Sequence, residues 1–148
     1  MKIVIGADHR GFSHKACIKE RVQVADKSIE WLDVGAYNAD RSDYPVFVEA
    51  VCQALLERRA DFGILLCGSG VGMSIAANRF PGIYAALAWN EEVARMSRQD
   101  DNANILVLPA DFVSHEQAIA MVKSWLQATF KQGRYQERLT MVDNLEVD

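Results

Sequence analysis

The chain has 148 residues, half of them apolar and 24% charged, with a formal net charge of −4 at pH 7. This length suits one domain with a substantial core, so we predict a single domain over residues 1–148. The acidic balance argues against a nucleic-acid-binding protein, and no segment approaches the roughly 18 uninterrupted apolar residues of a membrane span.

The three cysteines, Cys17, Cys52 and Cys67, show neither a disulfide framework nor the spacing of zinc ligands, so we predict no metal site. The N-terminal stretch also lacks the apolar run of a signal peptide. Both features are typical of a reducing compartment, and we expect a cytoplasmic protein.

Short apolar runs and longer amphipathic stretches alternate from the start of the chain. A strand over residues 2–6 and a helix over 12–25 come first. A second strand over 30–35 and a helix over 45–59 follow, and Pro45 suits the first position of that helix. The third strand, over 61–67, is apolar throughout and precedes a glycine-rich turn and a helix over 70–79.

The same alternation continues through the second half. It predicts strands over 83–89 and 104–108, with helices over 91–99, 114–130 and 135–145. Continuously apolar strands separated by helices are typical of a parallel sheet that is covered on both faces. We therefore predict an α/β fold, a three-layer, doubly wound, Rossmann-like domain with a parallel sheet of about five strands.

Polar and reactive residues follow four of the predicted strands. Sheets of this kind bind ligands at the carboxyl ends of their strands, so these residues are expected to meet at one edge. The four segments are residues 7–11, 38–45, 67–72 and 90–92.

The most informative segment begins at Cys67 and has glycine at positions 68, 70 and 72. Alternate glycines let backbone amides approach an oxyanion or a phosphate, and the following helix N-terminus adds a favourable field. That field lowers the pKa of a thiol, so Cys67 is placed to act as a base or nucleophile, with Ser69 near enough to hydrogen-bond to it. The residues also allow a buried strand-end cysteine before a tight turn, or a dinucleotide site, although the spacing is not G-x-G-x-x-G.

Two further pairs of residues allow both a functional and a structural interpretation. Asp8 and His9 could bind hydroxyls and relay a proton, or Asp8 could cap the following helix beside a solvated His9. Arg134 and Arg138 share one helical face, which suits either a phosphate or a solvated surface.

Five segments, in order along the chain, resemble the ribose-5-phosphate isomerase B family, which is grouped with galactose-6-phosphate and allose-6-phosphate isomerases. They are IGADHRGF at 5–12, DYP at 43–45, CGSGVGMSIAANR at 67–79, the segment from Arg95 to Asn104, and GRYQER at 133–138.

The resemblance implies an isomerase that interconverts ribose 5-phosphate and ribulose 5-phosphate through a cis-enediolate, without cofactor or metal. Cys67 would be the base, assisted by Ser69, and Asp100 stands where the family's ring-opening histidine is expected. The implied substrate-binding residues are Asp8, His9, Tyr44, Gly68, Gly70, Val71, Gly72, Ser74, Asp101, Arg134 and Arg138. Asp8 and Tyr44 would hold hydroxyls, His9 and the two arginines the phosphate, and the amides of residues 68–74 the enediolate oxygens.

The family's site lies between two subunits. The resemblance therefore implies a homodimer or homotetramer with shared active sites, a sugar phosphate as the small-molecule partner, and neither nucleic acid nor membrane. The C-terminal helix, over about residues 133–146, would contact a neighbouring subunit and serve its Cys67.

Two positions depart from the family pattern. Asp100 replaces the histidine, beside Asp101 in place of an asparagine, and a carboxylate with an ordinary pKa of about 3.9 is a weak base near neutrality. Asp111 stands where a phosphate-gripping arginine is common, which should weaken phosphate binding unless Arg10 or Arg41 compensates. Two alternatives therefore stay open: an isomerase for a different sugar phosphate, such as a six-carbon one, and a non-catalytic phosphosugar-binding subunit.

Overall fold

The structure is a computed structural model that describes residues 1–145. Strands and helices alternate in it as predicted. They are β1 (Lys2–Ala7), α1 (Phe12–Arg21), β2 (Glu30–Asp33), α2 (Tyr44–Leu56), β3 (Phe62–Cys67), α3 (Val71–Ala77), β4 (Ala85–Leu87), α4 (Glu91–Asp101), β5 (Ile105–Pro109), α5 (His115–Gln127) and α6 (Arg134–Asp143). Residue 146, at the end of the predicted C-terminal helix, lies outside the described residues.

The five strands form one parallel sheet in the order β2-β1-β3-β5-β4. β3 lies at the centre, with Ile5 of β1 opposite Ile64 on one side and Pro109 of β5 opposite Cys67 on the other. The chain goes outwards from β1 to β2 and then returns to β3 on the other side of β1. Because ligands bind where the strand order reverses, this topology points to the carboxyl ends of β1 and β3.

Helices cover both faces of the sheet, which confirms the predicted three-layer α/β fold. One face is covered by α1, α4 and α5, with Ile18, Met121 and Trp125 fully or almost fully buried against it. The other face is covered by α2 and α3, through residues such as Val51 and Met73. Within residues 1–145, no helix is long and apolar enough to cross a membrane.

Several predicted boundaries were wrong by two to four residues. α1 ends at Arg21 rather than at residue 25, because Val22 adopts an extended conformation with φ −77° and ψ 120°. α5 ends at Gln127 rather than at residue 130, since Ala128 is also extended, with φ −75° and ψ 152°. β4 spans only Ala85–Leu87, which fits its place at the edge of the sheet.

A nearly fully buried lysine anchors the loop that follows β2. Lys15, whose side chain is 2% exposed, donates from Nζ to Asp33 Oδ1 at 2.7 Å and also to the backbone oxygen of Ala36. Lys19 donates to the other Asp33 oxygen at 2.7 Å, and the Gly35 amide donates to Oδ1 at 2.9 Å. This network fixes the start of the loop that leads to Tyr44 and the site.

Candidate active site

A cavity of about 440 Å³ lies at the carboxyl ends of β1, β3 and β5. Six of the residues predicted to form a site line it, together with three others. The lining residues are Asp8, Arg10, Tyr44, Cys67, Gly68, Ser69, Gly72, Asp111 and Phe112. The cavity lies beside the switch point between β1 and β3, where the topology places a ligand.

Cys67 is the last residue of β3, and it is only 5% exposed. The Gly70 amide donates to its Sγ at 3.2 Å. Gly70 has a φ of 77°, a left-handed conformation that glycine adopts without steric cost, and a Cβ there would lie 2.5 Å from a Leu87 methyl group. The turn therefore aims a backbone amide at the thiol.

Burial raises the pKa of the Cys67 thiol above its ordinary value. Backbone amides of Met73, Gly70 and Ser69 act in the opposite direction, and the nearby charge of Asp8 adds to the increase. The amides at the helix N-terminus act on this pKa in the predicted direction, but burial has the larger effect, so the thiol pKa is raised rather than lowered. Desolvation of the thiolate outweighs the amides that would stabilise it.

Ser69 makes a different hydrogen bond from the predicted one. Its exposed Oγ accepts from the Val71 amide at 3.2 Å, and among the described residues it makes no hydrogen bond to Cys67. The first amides of a helix have no partner within the helix, so they compete for a nearby hydroxyl. Ser69 thus accepts from the first amide of α3 at the rim of the cavity, while Gly70 is the N-cap residue.

Some of the amides expected to hold enediolate oxygens already have partners. The Gly70 amide donates to Cys67 Sγ, the Val71 amide to Ser69 Oγ, and the Ser74 amide to the Gly70 oxygen at 3.0 Å. Gly68 and Gly72 line the cavity itself. The geometry thus favours these two among the predicted glycines for contact with a ligand.

Asp8 lies at the cavity wall and also holds the turn before α1, although Gly11, not Asp8, is the N-cap of that helix. Its side chain lines the cavity, and the residue is 5% exposed. Its Oδ1 accepts from the amides of Arg10 at 2.9 Å and Gly11 at 3.2 Å. The carboxylate therefore fixes the turn before α1 while remaining at the cavity wall.

His9 is half-buried against the loop that follows β2. Its backbone amide donates to Ser42 Oγ at 3.1 Å, and its Nδ1 lies 3.2 Å from both the backbone nitrogen and the backbone oxygen of Ser42. In the described part of the chain, His9 is not among the residues that line the cavity. The observed contacts tie the ends of β1 and of this loop together.

Tyr44 packs across the first turn of α3. A Cβ on Gly72 would lie only 2.5 Å from Cζ of the Tyr44 ring and 2.8 Å from its hydroxyl oxygen. No real side chain tolerates that approach, so glycine at position 72 is what lets the Tyr44 ring lie over this turn.

A second cluster of predicted residues surrounds the end of α4. Lys131 Nζ donates to Asp100 Oδ1 at 2.8 Å. The guanidinium groups of Arg134 and Arg138 lie 5.2 and 5.5 Å from the centre of the Tyr135 ring. Burial, and then the charge of Asp100, raise the pKa of Asp101.

The structure places the Cys67 cavity and the Asp100 cluster at opposite ends of the strands of the sheet. α4 ends at Asp101, and the chain then enters β5 at its amino end. Because β5 is parallel to β3, Asp100 lies near the amino edge of the sheet, whereas Cys67 ends its strand at the carboxyl edge. Within one chain, Asp100, Asp101, Arg134 and Arg138 are therefore not brought to the cavity that holds Cys67.

Three cavity residues were not predicted to bind substrate. Arg10 was considered only as a compensating cation, and Asp111 only as a departure from the family pattern. The structure joins them, with Arg10 Nη2 at 2.9 Å from Asp111 Oδ2. Phe112 is 75% exposed at the cavity rim, and its only sequence signal is its position after β5.

Known proteins are similar in sequence to this chain along most of its length. A family model described as Ribose/Galactose Isomerase matches residues 3–142. Ribose-5-phosphate isomerase B of Escherichia coli (strain K12) is 37% identical over 145 residues, which cover 98% of this chain and 96% of that protein.

Solved structures share the fold as well. A ribose 5-phosphate isomerase from Thermotoga maritima matches with a TM-score of 0.91 and 44% identity, covering 97% of this chain and 98% of that one. Ribose-5-phosphate isomerase B from Mycoplasma genitalium, solved with bound ribulose-5-phosphate, matches with a TM-score of 0.87 and 38% identity, covering 96% and 93%. With the family model spanning residues 3–142, this chain belongs to the ribose/galactose isomerase family.

Proposed function

We propose that this protein is an aldose–ketose isomerase that interconverts ribose 5-phosphate and ribulose 5-phosphate. Family membership supports the reaction class, and the relative from Mycoplasma genitalium was solved with ribulose-5-phosphate. The observation that carries the proposal is the thiol of Cys67, which lies at the wall of the cavity beside Asp8 and Tyr44.

Cys67 acts as the base in this proposal. Its thiolate removes the proton from C2 of the open-chain aldose, and the electron pair forms a cis-enediolate. The resulting thiol then delivers a proton to C1, while a proton moves from O2 to O1, which yields the ketose. A C–H beside a carbonyl is weakly acidic, so the site needs one positioned base and groups that stabilise the enediolate oxygens.

Two groups bind the rest of the substrate. Asp8 and Tyr44 accept and donate hydrogen bonds to sugar hydroxyls at the cavity wall. Arg134 and Arg138 hold the phosphate, because forked guanidinium donors match its oxygens. These arginines are at the other edge of the sheet, so they must come from a neighbouring subunit.

A homodimer or homotetramer with shared sites follows from this separation. Exposed apolar side chains on two helices support it: Val71 and Ile75 on α3, and Met141 and Val142 on α6. Clusters of exposed apolar side chains mark contact surfaces in many proteins. Self-association would bury them and bring the α6 arginines of one copy to the Cys67 of another.

The cytoplasmic location that the sequence indicates stays a prediction.

Asp100 takes the ring-opening role in this scheme, by accepting the proton of the anomeric hydroxyl. Its hydrogen bond raises the pKa of Lys131, so that lysine stays a cation beside the carboxylate. Lys131 thereby offsets the negative charge that Asp100 would otherwise bring close to an anionic substrate.

Interconversion of the two pentose phosphates by the purified protein tests the proposal. The matched variants are Cys67→Ala and Cys17→Ala, which remove a thiol inside and outside the cavity. We expect Cys67→Ala to lose at least about a hundredfold in kcat, as is usual for a lost general base, and Cys17→Ala to retain turnover. Turnover that survives in Cys67→Ala would remove Cys67 as the base.

A further inference from the structure

An ion pair spans the cavity mouth between the ends of β1 and β5. Arg10 Nη2 lies 2.9 Å from Asp111 Oδ2, and both residues line the cavity that holds Cys67. The pair also lies directly over the turn that follows β3. A Cβ on Gly68 would be 2.7 Å from Asp111 Oδ2 and 3.0 Å from Arg10 Cδ.

The backbone holds both partners in place. The Asp111 amide donates to the Gly68 oxygen at 3.0 Å, and the neighbouring Ala110 amide donates to the Cys67 oxygen at 2.9 Å. The Arg10 amide donates to the buried carboxylate of Asp8 at 2.9 Å. The backbones of the loops after β1, β3 and β5 therefore place these two side chains, which are 58% and 36% exposed, beside the Cys67 thiol.

Within one chain, the charges at the cavity disfavour a dianion. Among the residues that the structure describes, the cavity is lined by two carboxylates, Asp8 and Asp111, and by one guanidinium, that of Arg10. That guanidinium already has a carboxylate partner, so its charge and its donors are not fully available to a phosphate.

We propose that Asp111 is a specificity-determining residue, which weakens the hold of this cavity on phosphate and presents a carboxylate to a sugar hydroxyl instead. This inference rests on the proposed function and names the substrate chemistry of the same site. A paired carboxylate and guanidinium accept and donate hydrogen bonds side by side, which suits the hydroxyls of a polyol. The cavity mouth beside Gly68 thus takes an uncharged, hydroxyl-bearing part of the substrate.

Asp111→Asn tests the proposal, since it removes the charge but keeps the shape and the backbone hydrogen bond. Glu57→Gln is the matched control, because Glu57 also pairs with an arginine, Arg59, at 2.7 Å but is not among the cavity residues. Equilibrium titration with ribose 5-phosphate and with inorganic phosphate gives Kd, and steady-state kinetics with ribose 5-phosphate and D-ribose gives kcat and KM.

We expect Asp111→Asn to lower Kd for ribose 5-phosphate and for phosphate by about five- to tenfold, as one nearby charge allows. The ratio of kcat/KM for ribose 5-phosphate to kcat/KM for D-ribose should rise by about tenfold, since the hydroxyl acceptor is weakened at the same time. The double variant Arg10→Gln/Asp111→Asn removes both charges and should return Kd to about the wild-type value.

Asp111→Asn that matches Glu57→Gln in both Kd values and in the substrate ratio would overturn the inference. The titrations do not depend on turnover. A wild-type protein that binds but does not convert ribose 5-phosphate would therefore count against the proposed function, while the Kd comparison would still decide the role of Asp111.

Discussion

Burial and backbone amides shift the pKa of the Cys67 thiol in opposite directions. Burial is the larger effect and raises the pKa of the thiol. Because the base in the proposed reaction is the thiolate, kcat/KM should rise with pH, and the increase should continue above the ordinary thiol pKa of about 8.5. A pH profile of kcat/KM measures this directly. A plateau already reached below neutral pH would contradict the assignment.

Alkylation of Cys67 offers a second measurement of the same pKa. Iodoacetamide reacts with the thiolate, so its rate at Cys67 should follow the same rise with pH as kcat/KM. The Cys17→Ala variant removes the half-buried thiol outside the cavity, which leaves Cys67 and the fully buried Cys52. Cys52 is a suitable reference, since burial raises its pKa to about 12.

The contact between Gly72 and Tyr44 gives a prediction about substrate binding. Gly72→Ala places a methyl group within 2.5 Å of the Tyr44 ring and must displace it. We expect KM to rise by about tenfold. Alanine is favoured over glycine in a helix by about 1 kcal/mol, which offsets part of the cost of the clash. We therefore expect little loss of thermal stability. An unchanged KM in Gly72→Ala would show that the position of the Tyr44 ring does not affect substrate binding.

The sequence predicted those cavity residues that end a strand or directly follow one. Asp8 and Cys67 follow apolar strands, and parallel strands bring their carboxyl ends to one edge, so their proximity followed from the pattern. The ion pair between Arg10 and Asp111 could not be predicted in this way. It depends on β1 and β5 lying on either side of β3, and that strand order is set by tertiary packing.

Lys15 gives a prediction at the level of the secondary-structure elements. Burial would raise the pKa of the Asp33 carboxyl, but hydrogen bonds from Lys15, Lys19 and the Gly35 amide together lower it. Lys15→Met removes the buried partner and should lower the free energy of unfolding by about 2–4 kcal/mol. Lys19→Gln removes the more exposed partner and should cost less than about 1 kcal/mol.

Urea denaturation at a fixed protein concentration measures both changes, because association would otherwise alter the apparent stability. Equal losses in the two variants would contradict the view that the buried lysine anchors α1 to the loop after β2.

The predicted order of the elements was confirmed, whereas their ends were less accurate. The helical periodicity of apolar residues continues past Arg21 and past Gln127, although the backbone becomes extended at Val22 and at Ala128. Periodicity reports which face of a segment is buried, and a buried loop residue contributes to it as a helical one does. The ends of these helices are therefore set by the packing that follows them.

At the scale of the whole molecule, the separation of Cys67 from Arg134 and Arg138 predicts that two inactive variants restore activity when they share an oligomer. Cys67→Ala and the double variant Arg134→Gln/Arg138→Gln should each be nearly inactive alone. In a heterodimer of the two variants, one of the two sites combines an intact Cys67 with intact arginines. The isolated heterodimer should therefore have about half of the wild-type activity.

Co-expression of the two variants with different affinity tags isolates the mixed oligomers, and activity is compared with each parent at equal protein concentration. Parents that lose activity but fail to complement would show that Cys67 and the arginines act within one chain. A monomeric wild-type protein in native mass measurement would contradict the shared site independently.

NMR in deuterated water shows whether Cys67 moves a proton between C1 and C2 of the substrate. A proton on the Cys67 sulfur exchanges with solvent, so wild-type protein should incorporate deuterium at C1 of ribulose 5-phosphate and at C2 of ribose 5-phosphate. Cys67→Ala should incorporate none above the uncatalysed rate. Interconversion without deuterium incorporation, or incorporation at an undiminished rate in Cys67→Ala, would show that Cys67 is not the base.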